Sequence, residues 1–236
     1  NTSFIYPATG GIEAIRRKMT ERLDQSRIVL NTSPTAISAS GRWIEFNGRR
    51  VEWDHLVSSI ALPDLVGITV DAPESIRQAA SKLRCSRLRF INVGLDVERP
   101  LNGNHWLYLP EDRFPFYRVG VFSNAVPSLA PAGKSSLYVE LANDRSLPDD
   151  EIVKRLVDLL KEIGSIESER QLLFAEFREH PWGYVIFDEA CVPARDMILS
   201  WYRESGIKSI GRYGAWTYNS MEDAILTAME TAAEIG

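Results

Sequence analysis

The sequence predicts an α+β fold, an antiparallel or mixed sheet with helices packed on it. Three observations carry that expectation. Short β-rich runs over 27–53 are divided by Ser-Pro, Ser-Gly and Asn-Gly turn signals. The stretch 105–124 turns back on itself around a proline. Four further stretches, 12–23, 151–163, 192–204 and 221–235, read as helices with recognisable starts or stops.

At the N-terminal end, Phe4-Ile5-Tyr6-Pro7 reads as a short apolar edge. Gly10-Gly11 leads into the first helix, where Ile12, Ile15, Met19 and Leu23 share a stripe and Thr9 is the expected N-cap. A glycine pair before a helix can face a phosphate. It is not GxGxxG, so an ordinary turn is the plainer reading. Strands are expected at 27–31, 35–40, 43–47 and 50–53, forming a small meander whose Asn47-Gly48 suits a tight turn. A buried strand is expected from Trp53 to Ile60, with Pro63 beginning the exit. A short helix over 75–83 and a long strand over 84–97 lead to the hairpin.

That hairpin is the chemically richest stretch. Trp106 to Leu109 reads as one strand, Pro110 to Arg113 as the turn, and Phe116 to Phe122 as the return. Strict alternation places Tyr117, Val119 and Val121 on one face, and Phe116, Arg118, Gly120 and Phe122 on the other. An arginine beside a glycine suits a phosphate or carboxylate, because no side chain blocks approach to the backbone. The pattern alone favours the plainer alternative, a hairpin with an aromatic core and a salt-bridged arginine.

Beyond it, 123–134 reads as a Pro/Ala/Ser loop and 135–141 as a strand. Pro148-Asp149-Asp150 opens the helix over 151–163, with acidic residues suited to its N-terminus. Next come a strand over 171–177, a helix over 192–204 stopped by Gly206, and a strand over 207–210. Gly211 to Tyr218 is turn-rich and aromatic. Asn219-Ser220 caps the last helix, whose expected stripe is Ile225, Met229 and Ala232.

Composition narrows the function. The chain has 236 residues, 44% hydrophobic and 25% charged, which is ordinary for a globular protein. A net charge of −5 argues against a nucleic-acid surface. No run approaches the length of a membrane span and no signal peptide is visible. Cys85 and Cys191 stand far apart, which speaks against a disulfide frame or zinc site, and a reducing, cytoplasmic setting is expected. His55, His105 and His180 lack metal-type spacing, no metal is expected, and no GxSxG elbow exists. Glu111-Asp112 reads as a solvated turn. Cys191, at a helix start, is better read as a small apolar residue than as a reactive thiol.

Three blocks carry a resemblance: Tyr6 to Gly11 before a helix; Trp106 to Asp112 with Pro115 to Arg118 and Ser123-Asn124; and Gly211 to Tyr218 before the last helix. Together, in this order, they resemble the C-terminal part of FAD-dependent proteins of the amine oxidase and protoporphyrinogen oxidase superfamily. Within it, the second and third blocks are most similar to the UDP-galactopyranose mutases of the eukaryotic type and their bacterial relatives. Such proteins open with a strand and a GxGxxG turn for the ADP half of FAD, which this chain lacks. It also opens Asn-Thr-Ser without an initiator Met, so it is expected to be a fragment without the N-terminal Rossmann segment. The segment 219–223 is shorter than in the eukaryotic mutases, which favours the superfamily over the mutases.

The resemblance implies a layout: 1–65 as part of the FAD-binding domain with the meander, 66–185 as the substrate-binding domain, and 186–236 as the return to the FAD-binding domain. It implies that Gly211, Arg212 and Tyr213 lie against the flavin, with the helix N-terminus at Met221, Glu222 and Asp223 offering free N–H groups to it. It implies Arg118 as the grip on a nucleotide-sugar diphosphate, a UDP-sugar, with Trp106, Tyr108, Asn124, Tyr184 and Tyr218 around the substrate. No side chain is expected to be catalytic, since the flavin N5 would act. Against each role stands simple packing with a satisfied polar group. The alternatives are a flavin oxidoreductase taking hydride from an amine or porphyrinogen, and an isolated, inactive substrate-binding fragment.

Overall fold

The computed structural model describes residues 5–142 and 147–236. Phe4, in the expected apolar edge, lies outside the described residues, and Ile5-Tyr6-Pro7 is irregular. Helix α1 (Glu13–Thr20) is shorter than expected. Gln25 explains its end, because its amide donates to the Thr20 and Leu23 carbonyls at 2.7 and 3.0 Å. Ile12, not Thr9, is the N-cap, and Ile12, Met19 and Leu23 are exposed. The strand expected at 27–31 does not form. Asp24 accepts from Ser26 N and nucleates a 3-10 turn over Gln25–Arg27, while Val29 and Leu30 stay exposed.

The meander forms as β1 (Ala36–Ser38), β2 (Trp43–Phe46) and β3 (Arg49–Glu52), antiparallel in that order. Asn47 and Gly48 have φ of 52° and 70°, the pair of left-handed residues that a type I′ turn requires. The strand expected over 53–60 shrinks to β4 (Leu56–Ser58). Pro63 does not end structure but starts it, in the first turn of α2 (Leu62–Ile68), where its missing N–H has no bond to lose. Leu62, Leu65 and Val66 of this helix are buried. Then comes α3 (Glu74–Ala80).

Five strands follow, with helices among them: β5 (Leu88–Leu95), β6 (Trp106–Tyr108), β7 (Phe116–Val121), α4 (Phe122–Ala125), β8 (Ser135–Leu141), α5 (Asp149–Glu162) and β9 (Leu172–His180). The sheet runs β6-β7-β8-β5-β9, antiparallel at every pairing. One alternation fails. The register shifts between Phe116 and Arg118, a bulge that turns Phe116 into the same core as Val119 and Val121. The segment 123–134, expected as a loop, contains the end of α4 and a 3-10 turn at Pro127–Leu129.

The chain closes with α6 (Cys191–Glu204), β10 (Ile207–Ser209), α7 (Gly211–Gly214) and α8 (Met221–Ile235). The expected stripe of α8 is not a core stripe, since Ile225, Met229 and Ala232 are exposed and Thr231 is the buried residue. Strand β10 pairs in parallel with β4, Ile207 opposite Leu56.

Contacts divide the chain into two units. Unit 1 takes the described residues up to Ile28 and Arg87–His180; unit 2 takes Val29–Ser86 and Pro181–Gly236. The boundaries of these units fall after 28, 86 and 180, whereas the layout that the resemblance implies has its boundaries after 65 and 185. Unit 1 buries Ile91, Val93, Val119, Val139 and Leu137 of the sheet with Ile152, Leu156 and Leu160 of α5. Unit 2 gathers Ile37, Leu62, Leu65, Ile76, Ile198, Tyr202 and Trp216.

Candidate functional site

In unit 1 the hairpin side chains form two rows across β6, β7 and β8. Tyr108, Arg118 and Glu140 stand opposite one another in one row, and Trp106, Gly120 and Tyr138 in the next. Period-2 alternation puts both rows on one sheet face, away from Val119 and Val139. Arg118 ion-pairs with Glu140, which is only 4% exposed. Its guanidinium carbon lies 5.9 Å from the Tyr108 ring centre and 5.5 Å from that of Tyr138. Burial works against the Arg118 charge, but hydrogen bonds to Glu140 and Tyr108 outweigh it and push the pKa up.

Gly120 does not leave an open patch. A Cβ there would overlap the Tyr138 ring, which lies over the glycine and meets Phe122 at a centroid distance of 4.8 Å. Trp106 and Tyr108 stay half open to solvent, 49% and 58% exposed. Asn124 acts on the backbone, where its amide donates to Pro100 O and Asn104 O, both at 2.7 Å. Those bonds hold a bend in which Arg99, Leu101 and Asn102 all have positive φ, just before Trp106. Sequence alone shows Glu140 and Tyr138 only as parts of a strand. Their spacing of two within Ser-Ser-Leu-Tyr-Val-Glu-Leu is the signal that puts them on one face.

Unit 2 holds a second arginine among tyrosines. The Arg212 guanidinium carbon is 4.6 Å from the Tyr218 ring centre and 5.4 Å from that of Tyr184, and the two rings are nearly parallel, 6.4 Å apart. The resemblance assigned Arg212 to the cofactor and Tyr184 and Tyr218 to the substrate; the structure gathers all three into one cluster. Arg212 makes no ion pair among the described residues, and its Nε is buried there without a hydrogen-bond partner. Gly211, at φ 77°, makes the turn that starts α7. Tyr213 donates to Gly183 O at 3.1 Å, and burial raises its pKa.

The helix N-terminus corrects one expectation. Ser220 and Asp223 form a capping box: Asp223 N donates to Ser220 Oγ at 3.2 Å and Ser220 N to Asp223 Oδ2 at 2.7 Å. The Asp223 N–H is therefore taken, and the bonds from Ser220 lower the Asp223 pKa. Met221 and Glu222 are exposed in the same turn. Cys191 is fully buried and burial raises its pKa, which makes it a packing residue. Among the described residues no group of three or more His, Cys, Asp or Glu side chains could hold a metal. No helix there is long and apolar enough to cross a membrane.

Residues 1–236 match the family of flavin-containing amine oxidoreductases along their whole length. The chain belongs to this family. Its cofactor is FAD. Among solved structures, reduced UDP-galactopyranose mutase is similar at 26% identity with a TM-score of 0.83, over 90% of this chain and 47% of that one. A candidate protoporphyrinogen oxidase from Exiguobacterium sp. 255-15 shares the fold at 16% identity and a TM-score of 0.74, over 95% and 51%. A putrescine oxidase variant does so at 14% and 0.69, over 95% and 52%. The chain thus spans about half the length of each of these proteins.

The unit 2 cluster fits a flavin. An orphaned, buried Arg212 donor on a glycine turn, flanked by tyrosine rings, calls for an acceptor-bearing group, as an isoalloxazine edge would be.

Proposed function

We propose that the parent protein is an FAD-dependent enzyme acting on a nucleotide sugar, in the manner of UDP-galactopyranose mutase. The observation that carries this reading is the Tyr108–Arg118–Glu140 row, a fixed guanidinium on a half-open face bordered by Trp106. A planar fork of donors beside aromatic rings suits a diphosphate that carries a ring at either end. Unit 1 would bind the substrate: Arg118 would take the diphosphate, while Tyr108 and Trp106 would line it. Asn124 would serve by fixing the bend that enters β6.

Unit 2 would hold the flavin through Gly211, Arg212, Tyr213 and the N–H groups of Met221 and Glu222 in the first turn of α8, while Asp223 caps that turn and Tyr184 and Tyr218 fix Arg212. The bound flavin would supply the nucleophilic or redox chemistry, for which the described side chains offer no counterpart. The role of this chain's residues is then to bind, orient and balance charge.

A second reading, hydride transfer from an amine, draws on Glu140. Its Oε2 is buried without a hydrogen-bond partner among the described residues, and an ammonium group would suit such a carboxylate.

The test reduces the FAD-loaded protein with dithionite and adds UDP-galactofuranose. Chromatography should show UDP-galactopyranose, and Arg118→Lys should lose it while keeping its flavin. Lysine preserves a charge for Glu140 but not the two-pronged geometry. No conversion, together with bleaching of the oxidised flavin by an amine, would replace the first reading by the second.

A further inference from the structure

We infer that Tyr138 is a positioning residue for Arg118, and that Gly120 is its seat. The inference rests on the reading of Arg118 as a diphosphate grip. Three observations carry it. Tyr138 stands opposite Gly120 on β8, and its ring fills the space that a side chain at Gly120 would need. The same ring lies 5.5 Å from the Arg118 guanidinium and packs on Phe122. Arg118, on β7, is thereby bounded by Tyr108 on β6, by Glu140 directly opposite on β8, and diagonally by Tyr138, two residues before Glu140 on β8.

Without the ring, the row would be open on the Gly120 side, since glycine offers no wall. A long side chain would gain rotamers there, and an arriving anion would have to freeze them again. The ring removes those rotamers beforehand and adds its own attraction to the cation. Glu140 and Tyr108 do not do this. They hold the guanidinium from the two flanking strands and put no wall on the Gly120 side. Tyr138 thus fixes the guanidinium, and the ligand class it serves is a nucleoside diphosphate.

The geometry gives the test a double-mutant form. UDP is titrated into the FAD-loaded protein, with flavin absorbance recorded to show that the cofactor is retained. Tyr138→Ala should weaken UDP binding about tenfold, and Tyr138→Phe should restore it because the ring, not the hydroxyl, is the wall. Gly120→Ala should weaken binding similarly by displacing the ring. Gly120→Ala combined with Tyr138→Ala should bind no worse than Tyr138→Ala alone, since the displaced ring is then gone. Additive losses in the double variant, or unchanged UDP affinity in Tyr138→Ala while Arg118→Lys abolishes binding, would overturn the inference and leave the diphosphate reading standing. A wild-type protein that binds FAD but not UDP would overturn both.

Discussion

At the scale of single residues, the deciding fact is that Arg118 and Glu140 were built as a pair. Glu140 is 4% exposed, so removing Arg118 strands a carboxylate inside the sheet. Arg118→Ala is therefore expected to lose about 3 kcal/mol of stability in urea unfolding, and adding Glu140→Gln should recover most of it. A loss confined to substrate binding, with unchanged stability, would contradict the pairing. The sequence made Arg118 visible, since a cation inside an aromatic strand stands out. Its partner was hidden, because pairing depends on register and Glu140 sits in a run otherwise suited to a buried strand. Gly120 shows the same limit. Its lack of a side chain could be read, but the occupant of the gap comes from β8 and only the fold brings it there.

At the scale of elements, local chemistry was legible where it is self-contained. The Asn47-Gly48 turn, the hairpin, β8 and the capped start of α8 follow from turn residues, alternation and caps. The failures have physical causes: a proline taken for a stop that starts α2, a bulge that moves Phe116 into the core, and a strand at 27–31 displaced by the Asp24 turn. The Asp71 clasp was equally out of reach, since its partners lie some thirty residues earlier. Its carboxylate accepts from Ser38 Oγ and Ala39 N, both at 2.9 Å, and from Ser40 N at 2.8 Å, tying the end of β1 to the segment between α2 and α3. Burial opposes this charge, but the bonds from Ser40, Ala39 and Ser38 outweigh it and hold the pKa at about 2, below the ordinary 3.8. The clasp's contribution is thus present above pH 3.8 and lost as pH falls towards 2. Asp71→Asn should lower the melting temperature at pH 7, and its difference from wild type should shrink over that acid window. A difference that stays constant down to pH 2 would show that the charge is not what the clasp uses.

At the scale of the whole molecule, the two units differ in how the chain builds them. The unit 1 core draws on residues between Ile91 and Ile166, all from one continuous segment. The unit 2 core joins residues 37–83 to residues 185–216, so 87–180 is an insertion within it. The ends of that insertion meet inside unit 2: Gly183 N donates to Ser86 O at 2.8 Å, Ser86 N to Tyr184 O at 2.9 Å, and Cys85 bridges Val185. A short Gly-Ser turn can therefore replace 87–180 without moving either end. Shortening that closed loop to a few residues should favour folding by about 2 to 3 kcal/mol in closure entropy. The shortened chain should melt cooperatively. Trp216, fully buried and edge-on to Trp182 at 5.4 Å, should keep the blue-shifted fluorescence of an enclosed indole. Near-ultraviolet circular dichroism should retain the signal of fixed aromatic rings, Tyr184 and Tyr218 among them. Secondary structure without a cooperative melt, with red-shifted tryptophan emission, would mean that unit 2 takes its packing from the inserted segment and is no folding unit of its own.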